Sequence, residues 1–219
     1  MTFDLETVER ETIEAVQKGH LVFQAHRFAE DDFQHVRRLA LWADVPDGSR
    51  IVDMGSGVGE MARIWSLIQP EVSFCLVNIS PLQLELSPPE MKRHCCDMLD
   101  VPEPDEAFNA AICCFSIGHV DRFKAFREMA RLVKPGGIVF IYDMVRIDGD
   151  NERLLELAYR VDGRDVVESY AEMAGLQLDL YIEPADAGWY GENALGDGFR
   201  YYFGDVKPAI WRFRRGHVV

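Results

Sequence analysis

Between positions 50 and 142 the chain alternates short, nearly continuous apolar runs with stretches whose apolar residues recur every three or four positions. Short apolar runs bounded by turn residues suit buried strands, and the wider spacing suits helices with one buried face. The pattern predicts strands over 50–54, 72–77, 91–96, 108–115 and 138–142, with helices over 58–68, 82–86 and 122–133 between them. Upstream, Leu5, Val8, Thr12, Ile13 and Val16 have helical spacing, as do Phe33, Val36, Ala40 and Leu41, so helices are expected over 4–18 and 30–43. Asp44-Val45-Pro46-Asp47-Gly48-Ser49 breaks the chain before the first strand. Lys134-Pro135-Gly136-Gly137 should end the helix before it and turn the chain into the next strand. Further on, helices are expected around 151–160 and 165–174, then a strand over 176–182, a long loop, and a last strand near 210–214.

Strand–helix alternation at this spacing implies a parallel sheet covered by helices on both faces. The last two strands have no helix between them and should pair antiparallel. The expected fold is therefore α/β and doubly wound: a mostly parallel seven-stranded sheet with the last strand antiparallel. A helical segment over 1–49 would precede a core over 50–219, with insertions around 144–162 and 184–205.

At 219 residues the chain suits one substantial domain. No apolar run is long enough for a membrane span, and the acidic, amphipathic start lacks a signal-peptide pattern. The five cysteines, Cys75, Cys95, Cys96, Cys113 and Cys114, all fall in predicted buried strands. An odd number with adjacent pairs points to reduced thiols and a cytoplasmic setting. No Cys-x-x-Cys or His-x-x-x-His spacing is present, so no metal is expected. The 37 acidic against 23 basic residues argue against a nucleic-acid partner, whose binding depends on neutralising phosphates.

The densest chemistry lies in Val52-Asp53-Met54-Gly55-Ser56-Gly57-Val58-Gly59, a glycine-rich turn between a predicted strand and helix. Such a turn lets a ligand approach the backbone. Alternatively it is only a tight turn. The dinucleotide fingerprint would need glycine where Glu60 stands, which argues against a nicotinamide oxidoreductase. A carboxylate such as Asp53 at the strand end suits a cationic ligand rather than a pyrophosphate.

Asp53-x-Gly55-x-Gly57-x-Gly59, followed by Asn78-Ile79-Ser80-Pro81-Leu82-Gln83, Cys96-Asp97-Met98 with Val101-Pro102 and Phe108, and the run from Phe126 to Gly137, resembles the core of class I S-adenosylmethionine-dependent methyltransferases. The Ser80-x-x-Gln83 segment resembles the subgroup of small-molecule, sterol and tocopherol methyltransferases and cyclopropane fatty acid synthases. The resemblance implies S-adenosylmethionine as cofactor and S-adenosylhomocysteine as product. It implies that Asp53, Gly55, Ser56, Gly57 and Gly59 cradle the cofactor, with Asn78, Ile79, Ser80 and Gln83 on the ribose side. Asp97 would accept from the adenine amino group, Met98 would pack on the ring, and Phe115 and Ser116 would complete the wall. Segment 1–49 would cover this site. Read alone, Ser80-Pro81 is also an ordinary helix start and Asp97 an ordinary turn acid.

His119 follows the fourth strand, where this family faces its acceptor. Histidine takes a proton near neutral pH, so His119 is the candidate catalytic base and an acceptor contact. It could equally order its loop. Asp143, past the fifth strand, is a second acceptor-side candidate. Trp189 and Tyr190 lie in a loop rich in glycine and aromatic residues and suit an aromatic or apolar small molecule. His20, His26 and Arg27 lie where an N-terminal lid could meet the ligand. The reading is methyl transfer to oxygen, nitrogen or carbon of a small molecule, by a chain that could form a homodimer. The alternatives are a non-catalytic cofactor-binding partner subunit and a nucleotide or nucleic-acid methyltransferase. Against the last, no Asn/Asp-Pro-Pro-Tyr or Pro-Cys segment is present.

Overall fold

The computed structural model describes residues 4–19, 21–22, 28–29, 31–147, 159–183 and 206–216. Two helices, α1 (Leu5–Gln17) and α2 (Asp32–Ala43), precede β1 (Arg50–Met54), α3 (Glu60–Ile68), β2 (Ser73–Asn78), α4 (Pro81–Glu85) and β3 (Lys92–Cys95). There follow β4 (Phe108–Cys114), a single 3-10 turn (Ile117–His119), α5 (Arg122–Leu132), β5 (Val133–Arg146), α6 (Arg164–Met173), β6 (Leu176–Ile182) and β7 (Val206–Arg215). The sheet order is β3-β2-β1-β4-β5-β7-β6, parallel except for β7, which runs antiparallel to both its neighbours. This is the expected seven-stranded fold. The predicted helix around 151–160 falls mostly on positions outside the described residues.

Helix starts follow local chemistry. The side chains of Asp4, Asp31, Ser80 and Asp121 each accept a bond from a backbone N–H of the first turn, and Pro81 occupies the first turn of α4. The central strands β1, β2, β4 and β5 are buried on both faces, so their alternation sorts residues between two cores. Ile51, Leu76, Ile112 and Phe140 pack under α2 and α3, against Leu39, Met61 and Trp65. Val52, Val77, Cys113 and Ile141 pack under α5 and α6, against Phe126, Met129 and Val167.

Two expectations need correction. Lys134-Pro135-Gly136-Gly137 does not separate helix from strand; it is absorbed into β5, where the register with β4 shifts between Phe108 and Ala110. A Cβ on Gly137 would lie 2.6 Å from the Asn109 carbonyl oxygen, so glycine permits this close approach. The cysteines also divide: Cys75, Cys113 and Cys114 are buried, but Cys95 is exposed and Cys96 lies beyond the end of β3. Strand β3 is an edge strand, so one side of it lacks cover.

Candidate functional site

At the C-terminal ends of β1, β2 and β4 the chain encloses a cavity of about 420 Å³. Open parallel sheets place ligands at this end, where the strand order reverses. Here β1 runs on to β2 on one side and has β4 on the other.

The floor is the turn from β1 into α3. Gly55 has φ +81° and Gly59 φ +73°, both left-handed, and the N–H groups of Gly55 and Ser56 donate to the Val77 carbonyl at 2.9 and 3.1 Å. A Cβ on Gly55 would fall 2.3 Å from Ser116 Oγ. Gly55, Ser56 and Gly57 line the cavity; Gly59 does not, and serves the turn by its approach to Leu76. Asp53 points from the end of β1 into the cavity. It is fully buried, and neither carboxylate oxygen has a hydrogen-bond partner among the described residues. Burial alone pushes its pKa from 3.8 up to about 7. An acid held in this way is set to receive a cation or hydrogen-bond donor.

The wall at β2 carries Asn78, Ile79 and Gln83. Asn78 Nδ2 donates to the Gly57 carbonyl at 3.2 Å and to Gln83 Oε1 at 2.7 Å. Ser80 departs from its expected ligand role: fully buried, it caps α4 and donates to Glu9 Oε1 of α1 at 2.7 Å, and it does not line the cavity. Gln83 Nε2 likewise donates to Thr12 Oγ1 at 2.7 Å. These two bonds fasten α1 over the site, where Val8, Glu11, Thr12 and Ala15 add to its lining.

Asp97 and Met98 line the opposite side, with Cys96 next to them. Asp97 Oδ1 already accepts from the Leu99 N–H at 2.9 Å, leaving its other oxygen for a ligand. After β4, Phe115 adopts a left-handed φ of +53°, a strained conformation for a non-glycine residue, and packs edge-on against Tyr142 at 4.7 Å. Ser116 Oγ donates to the Met54 carbonyl at 2.9 Å. Phe115, Ser116, His119 and Val120 all line the cavity.

Asp143 is the second correction among the site residues. Its side chain is buried away from the cavity and accepts bonds from the Tyr159 hydroxyl at 2.5 Å and the Met144 N–H at 2.7 Å. The sequence places it just past the fifth strand, but β5 runs on through it to Arg146, and Tyr159 covers it. Trp189, Tyr190, His20, His26 and Arg27 lie outside the described residues.

Sequence reasoning missed Glu11, Thr12 and Cys96 as lining residues. Thr12 carried a signal, since it is a polar residue on the apolar face of α1 and is buried while its neighbour Ile13 is exposed. A second cluster brings Cys75, His94 and Glu103 donor atoms within 4.8 Å of one another. Glu103 there is already engaged by Lys92, by Arg50 at 3.2 Å and by His94 at 2.8 Å. Those charges meet the carboxylate's needs and oppose a bound cation, so the cluster is an ion-pair brace for the loop carrying Asp97 and Met98.

Residues 52–141 match the family model described as a methyltransferase domain. The chain is 29% identical over 203 residues to a sterol methyltransferase-like protein of Botryococcus braunii, covering 80% of this chain and 52% of that protein. It thus spans about half the length of that curated relative. Among solved structures it is similar to the [4+2]-cyclase SpnF, at TM-score 0.78 and 19% identity, covering 96% of this chain and 93% of the other. It is also similar to the geranyl diphosphate C-methyltransferase of Streptomyces coelicolor, solved with S-adenosylhomocysteine, at TM-score 0.75, 14% identity and 96% and 97% coverage. At these identities the structures speak for the fold alone, and the cyclase shows that the fold does not dictate one reaction.

Proposed function

We propose that this chain, whose residues 52–141 belong to the class I S-adenosylmethionine-dependent methyltransferases, transfers a methyl group from that cofactor to a small-molecule acceptor. The observation that carries the reading is the buried carboxylate of Asp53, without a hydrogen-bond partner among the described residues and facing the same cavity as Asp97 and Met98. The residues fit the cofactor by charge as well as shape. S-adenosylmethionine carries cationic sulfonium and ammonium groups, and Asp53, Glu11 and Asp97 give the cavity carboxylates. Asp53 would hold a cationic group, Asn78 and Gln83 the ribose, and Asp97 the adenine amino group, with Met98 against the ring. When bound, the cofactor supplies an electrophilic methyl group on sulfur.

The protein's own part is positioning and the exclusion of water. The Gly55–Gly57 turn brings backbone to the ligand, α1 forms a lid through Ser80 and Gln83, and Phe115 to Val120 separate cofactor from acceptor. His119 accepts the proton of an oxygen or nitrogen acceptor, or removes the one left on carbon after transfer.

Incubating the protein with methyl-labelled S-adenosylmethionine and a small-molecule extract tests the reading. Labelled low-molecular-weight product, lost in His119→Ala, is expected. Binding of the cofactor without label transfer to any extract would favour the non-catalytic partner instead.

A further inference from the structure

Behind the wall formed by Phe115 to Val120 lies a small buried cluster that the reaction does not use. Met144, Tyr159, Val161 and Val206 pack together, with Phe115 against them, apart from the two main cores. Tyr159 and Val161 belong to the chain as it returns from the excursion after β5. The return is tied to the wall in three ways. The Arg160 N–H donates to the Gly118 carbonyl at 2.8 Å. The Tyr159 ring meets the His119 ring edge-on, with centroids 4.7 Å apart. A Cβ on Gly118 would lie 2.3 Å from the Tyr159 ring, so only glycine lets the ring lie against the turn.

The far end of Tyr159 is fixed as well. Its hydroxyl donates to Asp143 Oδ1 at 2.5 Å, inside the protein. Arg122, itself buried, holds Asp162 Oδ2 at 2.7 Å and also donates to the Arg160 carbonyl. The chain is therefore clamped just after Tyr159, at Arg160 and Asp162, and the ring itself is held at its hydroxyl by Asp143.

We propose that Tyr159 is a positioning residue for His119: held by Asp143 and admitted by Gly118, its ring fixes the imidazole at the cavity wall. The proposal rests on the reading of His119 as the acceptor-side base, and it gives Asp143 a role through Tyr159 rather than at the substrate. An edge-to-face contact sets both the tilt and the depth of the imidazole. Misplacing a reacting group by about 1 Å can cost about 100-fold in rate, so such a support matters to the chemistry.

The test uses histidine-labelled full-length protein and NMR, with the His119 ring signal assigned from His119→Gln. S-adenosylhomocysteine binding by calorimetry runs beside it. In Tyr159→Leu and in Gly118→Ala the His119 signal should move well away from its wild-type place, because the ring packed edge-on against it is lost or displaced. Tyr159→Phe keeps the ring and should leave the signal near its wild-type place, and Asp143→Asn should shift it by an intermediate amount. Affinity for S-adenosylhomocysteine should stay within about threefold in all four. An unmoved His119 signal in folded Tyr159→Leu or Gly118→Ala would overturn the proposal, as would an equal shift in Tyr159→Phe and Tyr159→Leu. If Tyr159→Leu does not fold, Gly118→Ala and Tyr159→Phe still decide. A wild type that fails to bind S-adenosylhomocysteine sinks the cofactor reading, whereas the NMR result bears on Tyr159 independently.

Discussion

Replacing Asp53 by asparagine should make the ligand-free protein more stable while weakening its hold on S-adenosylmethionine. The carboxylate is wholly buried with no hydrogen-bond partner for either oxygen among the described residues, and burial raises its pKa from 3.8 to about 7. Because the folded value lies above the unfolded one, the native state binds the extra proton between these limits. Stability from this group is thus lost as pH rises from about 4 to about 7, by up to about 4 kcal/mol once the acid is ionised. Asparagine removes that cost at neutral and higher pH. Allowing for relaxation around a charged site, the gain should be about 2–4 kcal/mol at pH 8 and should vanish towards pH 4. At about 3 °C per kcal/mol for a chain of this size, the melting temperature should rise by about 6–12 °C at pH 8. Urea unfolding of both proteins without ligand, from pH 4 to 8, reads the difference directly. The same variant loses a charge-assisted contact worth about 1.5–3 kcal/mol, so its Kd for S-adenosylmethionine should rise about ten- to hundredfold. In the wild type, affinity should fall below pH 7 by at most about tenfold per pH step, since binding requires the ionised acid. A variant less stable than wild type at pH 8, or a gain that does not depend on pH, would refute the reasoning.

Gly55→Ala should destabilise the fold by about 1–3 kcal/mol in urea unfolding, because its Cβ would meet Ser116 Oγ at 2.3 Å in a left-handed backbone. Ser80→Ala should lose about 1 kcal/mol with the α4 cap and, by freeing Glu9, should speed amide hydrogen exchange across α1. Glu103→Gln should cost about 1–3 kcal/mol above pH 5, through the bonds to Arg50, Lys92 and His94. Those partners hold the Glu103 pKa down at about 2 against an ordinary 4.5, so this stability is lost as pH falls from 4.5 towards 2 and the two proteins converge there in unfolding experiments.

The parts of the site that were legible in the sequence are those set by local chain geometry. Asp53 sits at a strand end before left-handed glycines, Asn78 ends β2 and Asp97 follows β3, so a strand–turn–helix reading places them at one edge. Ser80 could be read two ways because its serine-proline pair caps a helix whatever else it does; its bond to Glu9, 71 positions away, decided for the cap and α1. Asp143 is expected just past the fifth strand because the apolar run ends at Tyr142, yet β5 continues to Arg146, and its partner Tyr159, 16 positions on, is set by tertiary packing rather than by any pattern beside Asp143. Cys95 was misjudged because apolar patterning does not show which strand is at the edge. Gly136 and Gly137 read as a turn yet lie within β5, because a bulge and a turn use the same residues.

The central claim is that this cavity is built for a sulfonium cofactor. Calorimetric titration of the full chain at pH 8 with S-adenosylmethionine, beside NAD, tests it most directly. Saturable one-to-one binding of S-adenosylmethionine, weakened about tenfold or more in Asp53→Asn, and no binding of NAD are expected. Binding of NAD alone, or S-adenosylmethionine binding indifferent to Asp53→Asn, would contradict it.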